Sequence, residues 1–442
     1  MMKGRQTQLI LFLFGITILS WSSNYGQEKL KLTLDQAIQT GLVNSKTLHA
    51  SSMKVVSAEA KIKEVNASGL PSLRLTAAYR RLSKVDPFTI ETPFGKFDIS
   101  PSILDNYTST LTLTQPLFTG FRISSGVDIA EQTANATTSE YNKDRSDLIY
   151  NVKNSYWTLF KANELKKVAD ENVSQIEAHL KDAQNLLKVG MLTQNDVLKL
   201  EVQHSDAKYK QVDANNGVKL AMVALNNVMS ISLNTEIEIA TVAELNPKSF
   251  DDLSDLVVSA VENRPEVKAA DYRVKASEAG VTASKSGWYP QISIVADYYY
   301  SRPNQRILPT HDKFDGTWDA GINLSMNVCD WLTTSHQTQQ AEATLAQSID
   351  MMGSIKDNVT LEVTQNYLNV NQAKQKIEIA KLAVEQAEEN MRVTSDKFRS
   401  GLALSSDAID AEVALLAAKT NYTNSIVDYE LAKARLEKSI GQ

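Results

Sequence analysis

The 442-residue sequence has few of the residues that end helices or cross-link chains, with 17 glycines, 10 prolines and the single cysteine Cys329. Glycine and proline together reach about half the share that is usual in soluble proteins, which predicts few turns and long elements. One cysteine cannot form an intrachain disulfide. The five histidines are scattered without ligand spacing, and no nucleophile lies beside a general base, so we expect no metal site, no cofactor and no enzyme.

The charge balance and the apolar runs narrow the class further. A net charge of −6 gives no reason to expect a nucleic-acid partner. The apolar run Leu9–Leu19 follows Lys3 and Arg5, and it is too short to span a bilayer. This pattern predicts a secretory signal peptide over residues 1–26. No later run is apolar for about 18 residues, so the sequence predicts no transmembrane helix.

The rest of the chain is an internal repeat. Gly41–Leu48 and Pro71 have counterparts 219 residues later, and Val152–Trp157 has one 211 residues later. The second offset then stays constant over about 100 residues, which indicates duplication. We expect a first unit over residues 27–230, a linker at 231–250 with a short strand at Glu236–Ala240, and a second unit over residues 251–442.

Helical signals dominate both units. Thr33 and Gln36 form a capping-box pattern ahead of a short helix. The further predicted helices are Ser45–Ser68, Ile123–Leu187, Gln194–Met229, Pro265–Ser286, Thr333–Phe398 and Ser406–Ile440. The two longest contain no proline, and a 4-3-4-3 apolar seam through Ala169, Val173, Ile176, Leu180, Ala183 and Leu187 predicts coiled-coil packing.

Between the helices the apolar period changes to two, which predicts β-hairpins. The pattern is clear at residues 291–300 and 318–328 and weaker around Leu111 and Leu113. These strands have about the 9–11 residues that a tilted transmembrane strand needs, and aromatic residues stand at both ends. A soluble sheet packed on helices remains the alternative. The loops 84–106 and 301–317 should lie outside the membrane, and Cys329, the counterpart of Phe118, should fill space at a strand end.

Four strands cannot close a membrane barrel, because the smallest outer-membrane barrels use eight. An open strand edge cannot face lipid, since its unpaired backbone groups would be too costly there. A membrane-spanning form must therefore oligomerise. Three chains would give twelve strands in a closed ring, continued by a tube of helices about 100 Å long.

The duplicated architecture, the strand end Gln115–Arg122 and a glycine followed six residues later by an aspartate (Gly190 with Asp196, Gly401 with Asp407) resemble the TolC family of outer-membrane channels. The resemblance implies an α+β membrane protein: a homotrimer with four transmembrane β-strands per protomer, a 12-stranded β-barrel in outer-membrane lipid and long helical hairpins that form a periplasmic tunnel. It also implies a periplasmic adaptor (membrane fusion) protein as partner. Through the adaptor the channel would serve an inner-membrane pump of RND or ABC type, or type I secretion.

The resemblance assigns roles at the two helical turns. The pore constriction would involve Asp407, Asp410, Phe398 and Arg399. Its two aspartates would make the mouth cation-selective. The adaptor-docking tips would be Val189, Gly190, Met191, Leu192, Gly401, Leu402, Ala403 and Leu404. Ala403 departs from the family pattern, which has an arginine there in the latch that closes the mouth.

Local packing explains some of the same residues equally well. Asp196 and Asp407, after Thr193 and Ser405, suit the first turn of a helix, and Phe398 could simply complete the helical seam. A non-channel coiled-coil adaptor or interaction protein is the main alternative function. The sequence does not indicate which substrate is exported.

Overall fold

A computed structural model describes residues 30–86, 88–100, 102–240 and 250–441. The predicted signal peptide and part of the linker lie outside the described residues. The helices are α1 (Leu34–Asn44), α2 (Lys46–Ala67), α3 (Arg122–Lys188), α4 (Gln194–Val228), α5 (Leu253–Asn263), α6 (Pro265–Ser284), α7 (Thr333–Arg399) and α8 (Ser405–Ser439). The strands are β1 (Leu30–Leu32), β2 (Ser72–Arg81), β3 (Phe88–Thr92), β4 (Gly95–Ser100), β5 (Asp105–Thr119), β6 (Ile237–Ile239), β7 (Gln291–Arg302) and β8 (Asp315–Ser325).

The helices begin and end within one or two residues of their predicted positions. Helices α3 and α7 have 67 residues each, and α4 and α8 have 35 each, so the long pair runs about 100 Å. The seam is confirmed, because Val173, Ile176 and Ala183 are buried. The Thr33–Gln36 capping box is present at α1. Of the described helices, none has a stretch long and apolar enough to cross a membrane.

The main sheet is antiparallel, with strand order β2-β5-β7-β8. Its register places Tyr298 opposite Trp318 on one face and Asp297 opposite Asp319 on the other. Strand β8 starts and ends three residues before the predicted 318–328. The prediction was wrong there because β7 begins after Pro290, which has no N–H for the ladder, so β8 has no partner beyond Ser325.

The connection between β2 and β5 was expected as a loop, but it contains the hairpin β3–β4, whose strands pair at Ile90 and Phe97. Cys329 lies beyond the end of β8 and is exposed, so within one chain it does not fill space at a strand end. The hairpin arises where the sequence has no strong apolar alternation.

Each unit has its own apolar core near the middle of its long helices. Strand β1 pairs in parallel with β6, which confirms the short strand expected in the linker. Tyr156 of α3 is fully buried there, and its hydroxyl donates to the Leu32 carbonyl at 3.0 Å. Helix α3 also packs on α8, where Lys153 binds Glu437 at 2.8 Å. These contacts fix how the helical hairpins leave the sheet.

Candidate functional site at the helical tips

The two helical hairpins turn through the same backbone motif. Gly190 (φ 79°) and Gly401 (φ 68°) both lie in the left-handed region. In the first turn, the amides of Gly190 and Met191 donate to the carbonyls of Leu187 and Leu186 at 3.0 and 2.9 Å. This bonding is the Schellman motif, which favours glycine at the left-handed position.

The second turn repeats the motif. The amides of Gly401 and Leu402 donate to the carbonyls of Phe398 and Lys397 at 3.0 and 2.8 Å. The two turns also touch each other, since a Cβ added to Gly401 would lie 2.6 Å from the Met191 methyl, whereas one added to Gly190 would meet nothing within 4 Å. The tips are therefore built as one unit.

The return helix α4 begins with a complete cap. The Thr193 hydroxyl accepts from the Asp196 amide at 3.3 Å and donates to the Asp196 carboxylate at 2.6 Å. The Thr193 hydroxyl and amide both hold the pKa of Asp196 below its usual value. Lys199 Nζ lies 3.8 Å from the same carboxylate, so this acid has both a capping role and a counter-charge.

Helix α8 begins differently. The expected cap at Ser405 was wrong, because the helix starts one residue earlier and Leu404 is its N-cap. The Leu404 amide donates to Asp407 at 3.1 Å, while the Ser405 hydroxyl is buried without a partner. Asp407 is therefore half a capping box, with no side chain that returns the bond.

Asp407 and Asp410 are both exposed and lie one turn apart on α8. Within the described part of the chain, Asp410 makes no hydrogen bond or ion pair. Its counterpart Lys199 neutralises the first hairpin, so only the second hairpin presents two acids that are not neutralised. Helix capping alone does not explain this difference between two tips that are otherwise alike.

Phe398 points inward. It is 1% exposed and packs with Ala183, Val197, Leu200 and Ala408 in the cluster that joins the ends of all four long helices, here called the tip cluster. Leu192 and Ala403 lie half-buried against the same cluster. The structure thus places Phe398 in the packing position that the sequence left open as an alternative.

Arg399 joins the two hairpins. Its Nε donates to Asp182 of α3 at 3.0 Å, so it ties the end of α7 to the other hairpin. By contrast, Val189, Met191, Leu402 and Leu404 leave large apolar side chains exposed at the ends of the hairpins.

A buried histidine that sequence reasoning did not single out also lies between the hairpins. His179 Nδ1 of α3 is 2.7 Å from Glu412 Oε1 of α8, and both side chains are almost fully buried. The ring also reaches Ser395 of α7 at 3.3 Å. No local spacing could have revealed this pair, because its residues meet only through the packing of α3 on α8. Among the described residues, no group of three or more His, Cys, Asp or Glu side chains could hold a metal ion.

Comparison with known proteins identifies a family and relatives that resemble this chain. The family model for outer membrane efflux proteins matches residues 37–230 and 256–442. The outer membrane protein TolC of Vibrio cholerae is 23% identical over 382 residues, which is 84% of this chain and 82% of that protein. The alkaline protease secretion protein AprF of Pseudomonas aeruginosa is 22% identical over 370 residues, covering 82% and 75%.

Solved structures agree on the fold. The outer membrane protein VceC of Vibrio cholerae superposes with a TM-score of 0.77 at 17% identity, covering 92% of this chain and 96% of that one. The chain belongs to the outer membrane efflux protein family. It is accordingly an outer-membrane transport channel and not an enzyme.

Proposed function

We propose that this chain is the exit duct of a tripartite efflux or type I secretion system, assembled as a homotrimer and gated at its periplasmic tips. The secretion arm is supported by the likeness to AprF, and the efflux arm by the family. A periplasmic adaptor and an RND- or ABC-type pump would be its partners. The observation that carries the proposal is a set of faces that pack within the chain in one repeat and stay open in the other.

The helices provide the first such faces. Lys419 and Lys438 of α8 bind Glu171 and Asp147 of α3 at 2.9 and 2.6 Å. On the same face of α8, Thr423 is 9% exposed. The counterpart of Thr423 on α4 is Val212, which is 66% exposed. Val212 is apolar and exposed to water, although its counterpart in the other repeat is covered. This difference supports packing of another chain against α4.

Helix α7 has the complementary open face. Trp157 of α3 is 4% exposed, whereas its counterpart Leu368 of α7 is 59% exposed. Leu361 and Leu382 continue this exposed stripe at seven-residue multiples. Since α3 packs on α8 inside the chain, we assign α7 to pack on α4 of the next chain. The contact is heterologous, so a rotation that closes makes a ring.

The sheet supports the same ring. Strands β2 and β8 are its two edges, and three sheets joined through these edges would make twelve strands. The face with Leu73, Leu111, Tyr298 and Trp318 would contact outer-membrane lipid. The opposite face has Thr108, Thr110, Thr112 and Thr114 and would line the pore, as a polar interior requires.

The gate would combine rings of negative charge with an ion pair that joins the two hairpins. Asp407 and Asp410 would form two rings of three acids at the mouth and favour cations there. The Arg399–Asp182 pair would hold the second hairpin to the first, which gives Arg399 the closing role that the family assigns to the position of Ala403. Phe398 would act by keeping the tip cluster packed rather than by lining the opening.

The exposed apolar tips would dock the adaptor. Met191 and Leu402, with Val189 and Leu404, would contact apolar residues of its helical end, and the two glycines would shape the turns. Charged substitutions at Met191 and Leu402 should abolish drug or protein export while the assembled channel persists. Export that survives both substitutions would remove the docking role.

Single-channel recording in planar bilayers tests the gate. We expect the wild type to conduct weakly, to prefer cations and to be blocked by a trivalent cation, and the Asp407→Ala/Asp410→Ala variant to lose both the preference and the block. Asp196→Ala is the matched control, because it removes an acid from the same position of the other hairpin. A double variant that behaves like the wild type would return both aspartates to helix capping. A protein soluble without detergent would instead favour the coiled-coil adaptor.

A further inference from the structure

The first residues of the connection between β7 and β8 fold back over the sheet. Asn304 is 4% exposed, and its side-chain amide donates to the Asp315 carbonyl and to the Thr317 hydroxyl, both at 3.2 Å. The Asn304 side chain also accepts from the Arg306 amide at 3.0 Å. Segment Pro303–Arg306 is therefore fixed against the start of β8, and it is called the strap below.

Arg306 shows which face the strap covers. Its guanidinium donates to the Trp318 carbonyl at 3.2 Å and pairs with the Asp319 carboxylate. It also lies 5.1 Å from the centre of the Tyr299 ring. Tyr299 and Asp319 point to the same side as the threonines of β5, since Tyr299 pairs with Thr110 across the ladder. The strap thus lies on the polar face.

The space between the strap and strands β5, β7 and β8 is 280 Å³, lined by Thr108, Tyr299, Ser301 and Thr317 among others.

 The hydrogen bonds of Asn304 and Arg306 hold the strap against β8.

We propose that the strap narrows the pore at its outer end and that Arg306 sets the ion preference there. The proposal rests on the assignment of the polar face to the pore. In a ring of three chains, three straps would reach inward from the wall at the level of Tyr299. Each would place a guanidinium beside the acids of the wall, Asp319 and its ladder partner Asp297. With one guanidinium beside two acids in each chain, Arg306 would reduce the negative charge of the exit, whereas no lysine or arginine that the structure describes pairs with the acids of α8 at the tip mouth.

Two substitutions separate the width of the exit from its charge. Arg306→Gln removes both the pairing with Asp319 and the positive charge, so conductance should rise and the reversal potential should shift toward cations. Arg306→Lys keeps the charge but loses the planar fork that reaches two acceptors. It should raise conductance with little change in reversal potential.

The recordings are made in the Asp407→Ala/Asp410→Ala background, because a closed tip mouth would otherwise dominate the resistance. Arg81→Gln is the matched control, since Arg81 pairs with Asp105 at the same end of the sheet but on the opposite face. It should leave conductance and selectivity unchanged.

If Arg306→Gln changes neither the conductance nor the reversal potential, the proposed role of the strap is refuted, while the assignment of the polar face to the pore stands. Equal effects of Arg306→Gln and Arg81→Gln would also overturn it, because the change would then not depend on the face. A background protein that forms no channel at all would refute the proposed function, and the strap with it.

Discussion

The two glycines of the tips allow a matched test of how the turns are built. Replacing either by alanine forces a Cβ into the left-handed region, which costs about 1–2 kcal/mol. That cost should multiply the population of the locally opened turn by about 5–30. Gly401→Ala should cost more than Gly190→Ala, because only its Cβ would lie 2.6 Å from the Met191 methyl. The flexible methionine can move, so the excess should stay below the cost of overpacking a core, about 1–3 kcal/mol.

Hydrogen exchange of tip peptides, followed by mass spectrometry on the detergent-solubilised protein, measures this opening. The informative amides are Met191 and Leu402, which donate to Leu186 and Lys397. Adding Met191→Ala should remove the excess cost of Gly401→Ala. Gly217→Ala, inside α4 with open space around it, should instead slow exchange, since alanine favours a helix over glycine by about 0.5–1 kcal/mol. Equal exchange in both glycine variants, or an excess that persists without Met191, would refute the contact between the turns.

Two further predictions concern assembly and pH. In a Cys329→Ser background, the double variant Lys208→Cys/Leu382→Cys should cross-link neighbouring chains into a covalent ring, because these positions are the counterparts of the paired Lys419 and Glu171. On a denaturing gel, each single variant should run as a monomer. Cross-links formed only within one chain would contradict the ring. Because the pKa of Asp196 is lowered in the fold, its contribution to stability is present above the unfolded value of about 3.9 and is lost as pH falls through the folded value. Pepsin should therefore cleave the first tip increasingly as pH falls below about 4. The rate at which pepsin cleaves the Asp196→Asn variant should change less with pH.

The helices were predictable because their signals are local. Proline-free stretches and a 4-3-4-3 seam fix α3 and α7 to within one residue, since each turn is stabilised by neighbours three or four residues away. The glycine turns were predictable for the same reason. The cap at Ser405 was not, because the choice between Leu404 and Ser405 as N-cap depends on how α8 packs in the tip cluster.

Contacts between distant segments escaped the sequence. The pair of His179 and Glu412 joins α3 to α8, and the bond from Arg399 to Asp182 joins α7 to α3. Neither pair has a spacing signature, since both depend on the relative rotation of two helices. The hairpin β3–β4 and the inward strap were missed because strand and loop signals are weak in short polar segments.

The junction between sheet and helix independently supports the proposed assembly with further copies of the chain. In the first repeat Phe118 packs edge-on against Phe121 and Tyr289, with ring centroids 5.4 and 6.4 Å away. The corresponding residues of the second repeat are Cys329 and Leu332, and both are exposed. The counterpart of Tyr289 is Leu70 of the first repeat, which is also exposed. The next chain's Leu70 can cover Cys329 only if β8 meets β2 of that chain, which is the same direction of assembly that the open faces of α7 and α4 require.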